Sequence, residues 1–476
     1  MSASPYSTIY AFGDSLSDAG NVSVASQLST SIPVSPPYFH ANYSIPFPAS
    51  AAVFSNGPTW VQDLSITLNL GTLAPSLLGG NDFAYGGAQT GPTPQNASNP
   101  LNFLNPLDLP AQLTEFQTKV SHPSAAALYT LSIGGNDVIN ILSDPALTPA
   151  QQSTDITAAI TNTVSFLHAL AQGGARHVLV MNVTDLGLVP VESGKAVLAS
   201  SLSIQYDSQL ATALATEAAS DALDLHILDA RTLLDAVVAN PAGNGLTNVT
   251  TPVWSGNFTS ASSGTLAATG LAAQDQFLFW DKIHPTETGQ KILASNAAAL
   301  VLPCFAAGTR ILTVHGEIPV EHLREGDALP AVAGFGLRRI VWIGRMAVRP
   351  AAGDAPVRVR AGAFGPAMPH RDLVLSPDHA LYRDGVLIPV HLLADGNRIH
   401  ADPMPRRITY FHVELDRHDA ILAEGLPAES YLDTGNRSAF LGLATENIAT
   451  PWDHQACAPL HLGGTHLALA RRSAAG

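Results

Sequence analysis

Ser15, Asp281 and His284 are residue types that together can perform nucleophilic catalysis. Ser15 lies in residues 12–18 (FGDSLSD), directly after an apolar run, and Asp281 and His284 are three residues apart in a later turn. A serine hydroxyl becomes a nucleophile when a base takes its proton, and a carboxylate must hold that base in the right tautomer. We therefore predict Ser15 as nucleophile, His284 as base and Asp281 as the partner that orients it.

Each of these residues also has a structural interpretation. Ser15 could be the N-cap of a helix that begins directly after it, and such a helix would point backbone N–H groups toward the hydroxyl. Asp281 could cap the helical stretch that starts near Pro285, with His284 incidental.

Two glycine-containing blocks offer donors for the oxyanion that forms when a hydroxyl attacks an ester. They are residues 85–88 (YGGA) and 134–137 (GGND), and each follows a strand-like segment. Removing one such donor typically costs about 10²–10³ in rate. A glycine N–H and an asparagine amide, together with the N–H of Ser15, would supply three donors, although each block alone could be only a tight turn.

A second set of chemically useful residues lies in the last third of the chain. Cys304 opens residues 304–311 (CFAAGTRI), His379 ends residues 375–379 (LSPDH), and His418 ends residues 413–418 (VELDRH). A thiol at the first residue of a domain can attack the preceding carbonyl and turn the amide into a thioester. A nearby histidine would protonate or polarise the departing amide nitrogen. The alternative interpretation is a buried cysteine and two solvent-facing histidines.

Composition divides the chain in two. Residues 1–302 carry 6 Lys+Arg and 20 Asp+Glu, a net charge of −14, whereas residues 303–476 carry 17 and 18. Such a shift is typical of separately evolved domains, and we predict domains at 1–302 and 303–440 with a C-terminal tail at 441–476. The overall charge of −15 argues against a nucleic-acid partner, because phosphate binding needs a basic surface.

The pattern of apolar runs predicts two architectures. In the first domain, strand-like and helical segments alternate, which indicates a three-layer α/β domain with a parallel sheet. The predicted strands are 7–12, 128–133, 177–182 and 225–228; the predicted helices are 149–172, 194–222 and 285–300; long loops are predicted at 33–58, 90–110 and 240–275. Past residue 303, short β-branched segments separated by Gly, Pro and Asp indicate an all-β domain. These segments are 310–313, 340–343, 357–360, 373–375, 385–389 and 409–415.

The first domain resembles the SGNH/GDSL hydrolases, in the lipase and esterase branch. Four blocks carry the resemblance in the family's order over residues 6–300: FGDSLSDAGN, the glycine block, GGND and D-x-x-H. It implies a flavodoxin-like fold and two-step hydrolysis of an ester, with lipid, acyl and acetyl esters, including acylated carbohydrates, all open. It also implies an oxyanion hole formed by Ser15, Gly87 and Asn136. Gly87 is chosen by counting five residues from Asp82, where relatives carry Asn.

The second domain resembles the Hint domain of hedgehog proteins and inteins, in a bacterial subfamily found after secreted enzymes. The resemblance rests on C-x-x-G-T-x-I, S-P-D-H, V-E-L-D-x-H and residues 423–437. It implies that Cys304, His379 and His418 form an autoprocessing site, with cleavage between Pro303 and Cys304 and an external nucleophile as possible acceptor. Splicing is not expected, because Glu429 and Ser430 stand where an intein has its terminal His-Asn. A silent Hint domain is the alternative.

The sequence also lacks the patterns that would indicate a membrane helix, a signal peptide or a metal site. No run of about 18 apolar residues predicts a membrane-spanning helix, and the first ten residues lack the pattern of a signal peptide. The few cysteines and the Hint resemblance nevertheless favour secretion by another route over a cytoplasmic location. No metal-ligand spacing stands out, so we expect neither a metal nor another cofactor. The rival function is a non-catalytic surface or interaction protein with a silent Hint domain.

Overall fold

The computed structural model of the chain describes residues 6–26, 32–35, 37–45, 47–68, 70–91, 108–221, 223–301, 304–348, 355–402, 408–431, 457–458 and 470. By its internal contacts the chain divides into two compact units, one of residues 6–66 and 70–294 and the other mainly of residues 295–476. The predicted tail at 441–476 lies almost entirely outside the described residues, and so does Pro303.

The described strands and helices have the following bounds. The strands are Ile9–Gly13 (β1), His40–Ile45 (β2), Phe47–Ala52 (β3), Leu128–Ser132 (β4), His177–Met181 (β5), Asp224–Leu228 (β6), Phe305–Ala306 (β7), Arg310–Thr313 (β8), Gly316–Pro319 (β9), Ala328–Pro330 (β10), Leu337–Val348 (β11), Val357–Val359 (β12), Leu373–Leu375 (β13), Ala380–Arg383 (β14), Val386–Pro389 (β15), Ile399–Ala401 (β16), Ile408–Leu415 (β17), Ala420–Ala423 (β18) and Leu426–Glu429 (β19). The α-helices are Asn21–Ser26 (α1), Trp60–Thr67 (α2), Leu109–Lys119 (α3), Gly135–Ser143 (α4), Pro149–Gln172 (α5), Ala196–Asp221 (α6), Ala230–Ala239 (α7), Leu271–Gln274 (α8) and Glu287–Leu300 (α9).

A parallel sheet with strand order β1-β4-β5-β6 lies at the centre of the first unit. Strands β1, β4 and β5 are buried along their whole length, as expected where both faces of a sheet are covered. The register pairs Gly13 with Ser132 and Ser132 with Met181, so the carboxyl ends of three strands come together. Ligands of open α/β sheets bind at this edge.

The predicted α/β domain with a parallel sheet is confirmed, and its elements begin and end close to the expected residues. Strands β1, β4, β5 and β6 correspond to the four predicted strands to within two residues at each end. Helix α5 covers residues 149–172 as predicted. Its start is fixed locally, because Thr148 and Gln151 form a reciprocal capping box and Pro149 occupies the first turn.

Two local expectations in the first domain are wrong. The helix expected directly after Ser15 begins only at Asn21, because the Asp18 carboxylate accepts the N–H groups of Gly20 and Asn21 and holds a turn there. The loop expected at 33–58 contains the antiparallel ribbon of β2 and β3. Along β2, Ala41 and Tyr43 are buried and their neighbours are exposed, an alternation that the Ser- and Pro-rich composition obscured.

The second unit is an all-β domain, which confirms the predicted class. One sheet has the strand order β10-β11-β17-β7-β13-β12-β16 and the other β15-β14-β19-β18-β8-β9. Apolar side chains from both sheets form one buried core, which includes Phe305, Ile311, Leu375 and Ile421. Among the described residues, no helix has the length and apolar character to cross a membrane.

Candidate active site

The structure brings the three residues predicted for nucleophilic catalysis into one hydrogen-bonded chain. His284 Nε2 lies 2.8 Å from Ser15 Oγ, and His284 Nδ1 lies 2.8 Å from Asp281 Oδ2. Asp281 and His284 are both buried. The arrangement can pass a proton from the hydroxyl to the imidazole while the carboxylate fixes the ring.

The nucleophile turn is positioned by the edge of the sheet. Gly13 ends β1 with φ +135°, and a Cβ at this residue would lie 2.0 Å from the carbonyl oxygen of Ser132 on β4. Only glycine allows so close an approach. The next residue, Asp14, donates its N–H to the same carbonyl at 3.1 Å, so the chain turns at the end of β1 and presents Ser15 there.

The aspartate and histidine meet because the carboxylate organises its own turn. Asp281 Oδ1 accepts the N–H groups of Ile283 at 2.8 Å and of His284 at 2.7 Å. Trp280 closes the turn by donating its N–H to the carbonyl of His284 at 2.8 Å. The three-residue spacing therefore places ring and carboxylate side by side.

Tyr38 is a residue of this site that the sequence did not indicate. Its hydroxyl donates to Asp281 Oδ2 at 2.6 Å, and its ring is buried against Trp280. Burial alone raises the pKa of the Asp281 carboxyl, but the charge of His284 and the hydrogen bonds from His284 and Tyr38 lower that pKa below its ordinary value. Asp281 is therefore held as a carboxylate.

The two blocks predicted for the oxyanion hole are joined to each other and to the nucleophile turn. Asn136, in the first turn of α4, donates its Nδ2 to the carbonyl of Ala88 at 2.9 Å. The N–H of Gly86 donates to Asp18 Oδ2 at 2.8 Å and is committed to that bond. Gly87 follows with φ +84°, a conformation suited to glycine. Asn136 and Ser15 line the same cavity.

Buried carboxyl groups hold the nucleophile turn in place. Burial raises the pKa of Asp18 to about 6, against the opposing effect of backbone donors that include Gly86 and Gly20. Burial and the nearby Asp18 raise the pKa of Asp82 well above its usual range. Asp82 Oδ2 accepts the N–H of Ala19 at 2.6 Å and Asp82 Oδ1 accepts the N–H of Ala84 at 3.1 Å, so this side chain links the segment after Ser15 to the segment before the glycine block.

The cavity beside Ser15 is mostly apolar. Its lining runs from Ser15 and Asn136 past side chains of α4, α7 and α9 and of the segment before α6. The apolar members include Ile139, Leu186, Val189, Leu233, Leu234, Val237, Ile283 and Leu293. Such a cavity suits a hydrocarbon chain better than a sugar, since a sugar needs many polar partners.

The cysteine predicted for autoprocessing is buried in the second unit next to an unexpected histidine. Cys304 Sγ lies 2.8 Å from His412 Nε2, and the Cys304 N–H donates to Ser376 Oγ at 2.7 Å. Burial raises the pKa of the Cys304 thiol above its ordinary value, and burial lowers the pKa of His412 well below its ordinary value. Both shifts favour the uncharged forms, so a neutral thiol lies within hydrogen-bonding distance of a neutral imidazole.

The two histidines predicted from sequence are buried in different surroundings. His379 is buried with its ring 4.2 Å from that of Phe305, the residue after Cys304, and burial lowers its pKa to about 3. His418 instead accepts the N–H of Cys457 at 3.0 Å, and its Nε2 lies 3.9 Å from Glu429. His412 lies in β17, six residues before His418, and the local sequence pattern did not distinguish it from its neighbours in that strand.

Groups of histidine and carboxylate that could hold a cation occur away from the catalytic residues. In the described part of the chain, the groups that lie within one unit are His168, Glu217 and Asp221, and Glu317, His370 and Glu424. None of these six residues lines the cavity at Ser15.

Comparison with known proteins identifies relatives for both units. A family model described as GDSL-like lipase/acylhydrolase matches residues 9–297, and a Hint domain model matches residues 303–435. The chain is 26% identical over 333 residues to a phosphatidylcholine-sterol acyltransferase of Aeromonas hydrophila, covering 62% of this chain and 90% of that protein. It is 31% identical over 336 residues to the esterase EstA of Pseudomonas aeruginosa, covering 64% of this chain and 50% of that protein. Among solved structures, an intein-like domain of Clostridium thermocellum matches 27% of this chain and 98% of its own, with 14% identity and a TM-score of 0.22.

The position of Tyr38 generates a prediction. Tyr38→Phe removes a hydrogen bond to a charged group, which contributes about 1.5–3 kcal/mol, and we expect kcat to fall by about tenfold with little change in KM. Because the carboxylate loses a donor, the pKa of Asp281 rises toward its ordinary value, and the acid-side step in kcat/KM that reports protonation of this carboxyl moves to higher pH. Ester hydrolysis measured across pH checks both effects.

Tyr43→Phe is the matched control for Tyr38→Phe. The Tyr43 hydroxyl is also buried and donates to the carbonyl of Ala19, but it contacts neither Asp281 nor His284 in the hydrogen bonds of the described residues. We expect this variant to lose stability while keeping the parent kcat and pH profile. Equal kinetic effects of the two substitutions would contradict a positioning role for Tyr38.

Proposed function

The chain belongs to the GDSL-like lipase/acylhydrolase family and is an ester-hydrolysing enzyme, and from this premise we propose that Ser15, His284 and Asp281 form its catalytic triad. Two hydrogen-bond distances support the proposal: 2.8 Å between Ser15 Oγ and His284 Nε2, and 2.8 Å between His284 Nδ1 and Asp281 Oδ2. Family membership also argues against the rival interpretation as a non-catalytic surface protein.

The proposed reaction has two steps. Ser15 Oγ attacks the acyl carbon, His284 Nε2 takes the hydroxyl proton, and the tetrahedral oxyanion accepts hydrogen bonds from the N–H groups of Ser15 and Gly87 and the amide of Asn136. The C–O bond then breaks, and His284 returns the proton to the departing alcohol. Water, deprotonated by His284, attacks the acyl-enzyme in the same way and restores Ser15.

The substrate class that the cavity supports best is an ester with an apolar acyl chain. The polar lining residues lie at the carboxyl ends of β1, β4 and β5 and at the start of α4, whereas the α7 side chains Leu233, Leu234 and Val237 are all apolar. Each buried methylene contributes about 0.8 kcal/mol, so a hydrocarbon chain gains from every carbon it places there. The printed name of the Aeromonas hydrophila relative, a phosphatidylcholine-sterol acyltransferase, supports a lipid ester.

A second proposed activity belongs to the Hint domain. Cys304 Sγ would give its proton to His412 Nε2 and attack the carbonyl carbon of Pro303. The imidazolium would then pass this proton to the Cys304 nitrogen as the C–N bond breaks, which leaves a thioester and a free amino group at Cys304. Water or an external nucleophile would then release residues 1–303. The contact of 2.8 Å between Sγ and Nε2 supports this assignment of the base. The scissile carbonyl itself lies outside the described residues.

Removing the nucleophile tests the triad. We expect Ser15→Ala to lower kcat for a p-nitrophenyl ester by at least about 10⁴-fold, because the members of such a triad act as a unit. Ser17→Ala is the control from the same turn, since Ser17 Oγ is buried and accepts a hydrogen bond from Trp60 Nε1. A Ser15→Ala protein that keeps the parent rate would eliminate this nucleophile.

Chain-length dependence tests the acyl cavity. From acetate to octanoate, kcat/KM should rise by up to about fourfold per added methylene, the equivalent of about 0.8 kcal/mol. Leu234→Gln places a polar group in the cavity wall and should flatten this rise while leaving the acetate rate within about twofold. A parent enzyme that hydrolyses acetate fastest would point to acetylated substrates instead.

Thiol-induced cleavage tests the Hint assignment. Purified full-length protein incubated with dithiothreitol should yield two fragments on a gel, with mass spectrometry placing the break before Cys304. Cys304→Ala should abolish cleavage and His412→Ala should slow it by about 10²-fold, the usual contribution of a general base. His418→Ala is the matched control and should cleave faster than His412→Ala; the reverse order would return the role to His418.

A further inference from the structure

An apolar surface adjoins the cavity at Ser15. It consists of Val191, Val197, Leu198 and Ile204, in the segment Pro190–Lys195 and the first turns of α6, and we call it the α6 patch. Their exposed fractions are 43%, 89%, 41% and 52%. Val197 and Ile204 are two helical turns apart and lie on the same face of α6.

The segment before α6 forms a wall between the cavity and the α6 patch. Val189 lines the cavity, and two residues later Val191 donates its N–H to the carbonyl of Lys282, within the catalytic turn, at 2.9 Å. Lys195 Nζ donates to the carbonyl of Leu142 on α4 at 2.5 Å. Residues 189–195 thus run from the catalytic turn to α4, the helix that contributes Asn136 to the cavity.

Helix α6 carries apolar side chains on two faces. Leu202, Tyr206 and Leu210 are buried within the unit, whereas Val197 and Ile204 face solvent. A surface helix normally places charged residues on its outer face. Residues 190–206 contain only two charged residues, Glu192 and Lys195, and Glu192 is buried.

We propose that the α6 patch docks onto the surface of a zwitterionic lipid assembly, from which an ester moves into the cavity at Ser15. The inference rests on the proposed function, because the α6 patch extends the apolar cavity lining onto the protein surface next to the catalytic turn. Exposed apolar side chains beside an apolar pocket are typical of an interaction site, and their insertion among acyl chains removes them from water.

The charge of the domain and of the α6 patch favours a zwitterionic lipid surface over an anionic one. Residues 1–302 have a net charge of −14, and Lys195 is the one exposed cation within residues 190–206, where Arg is absent. Attraction to anionic headgroups needs a cluster of several Lys or Arg side chains. Neutral phosphocholine headgroups impose no such requirement and do not repel an acidic domain.

Vesicle flotation tests the docking without depending on catalysis. Full-length Ser15→Ala protein should float with phosphatidylcholine vesicles, and adding Val197→Asp or Ile204→Asp should lower the bound fraction about tenfold, because a carboxylate replaces methyl groups that leave water on docking. Ile66→Asp is the matched control: Ile66 is 50% exposed, lies on α2 and does not line the cavity, and its replacement should leave flotation unchanged.

Two further measurements separate the possible outcomes. With Ser15 intact, the patch variants should hydrolyse soluble p-nitrophenyl acetate within about twofold of the parent rate. Their rate of hydrolysis of esters presented in vesicles should fall about tenfold.

Equal flotation of Val197→Asp and Ile66→Asp, or binding that requires anionic lipid, overturns the proposal. So does a dimer in light scattering that Val197→Asp dissociates, because the occupant is then a second copy. If Ser15→Ala retains full hydrolysis, the proposed triad fails while flotation still decides the docking.

Discussion

The buried carboxylate of Asp281 is the group on which the geometry of the proposed catalytic site depends. A charge taken out of water must be compensated by donors, and this one receives them from its own turn, from the His284 ring and from Tyr38. The same hydrogen bonds that make its burial tolerable fix the position and tautomer of the imidazole. His284 Nε2 consequently points at Ser15, on a turn that the edge of the sheet holds independently.

The nucleophile turn is held by a comparable use of buried acidic groups. Asp18 ends the turn that carries Ser15, and its carboxyl group accepts the N–H groups of Gly20 and Gly86, so one side chain ties the nucleophile turn to the glycine block. Asn136 ties that block to α4 through the carbonyl of Ala88. Nucleophile and candidate oxyanion donors are therefore linked by side-chain hydrogen bonds across segments far apart in sequence, which favours a preorganised site.

The two units bury their candidate reactive groups differently. Ser15 lines a cavity with an apolar wall, as an enzyme acting on external esters requires. Cys304 is fully buried between β-sheet residues, with His412 as its neighbour, a setting suited to a substrate supplied by the chain itself. The apolar wall of this cavity and the exposed apolar residues of the α6 patch are the features on which the proposed lipid-ester substrate rests.

The sequence by itself determined the α/β class of the first domain with four of its strands and the all-β class of the second, and it indicated Ser15, Asp281, His284 and Cys304 as candidate reactive residues. These features follow from apolar periodicity and turn chemistry, which act between near neighbours in the chain. Only the tertiary structure decided that Tyr38, 243 residues before Asp281, donates to it, and that His412, 108 residues after Cys304, meets its thiol. Such contacts depend on sheet register and on the packing of the whole core, which no local pattern encodes. The β2–β3 ribbon was missed for the same reason, since the burial of Ala41 and Tyr43 in a small cluster with Ala74 outweighs its polar composition.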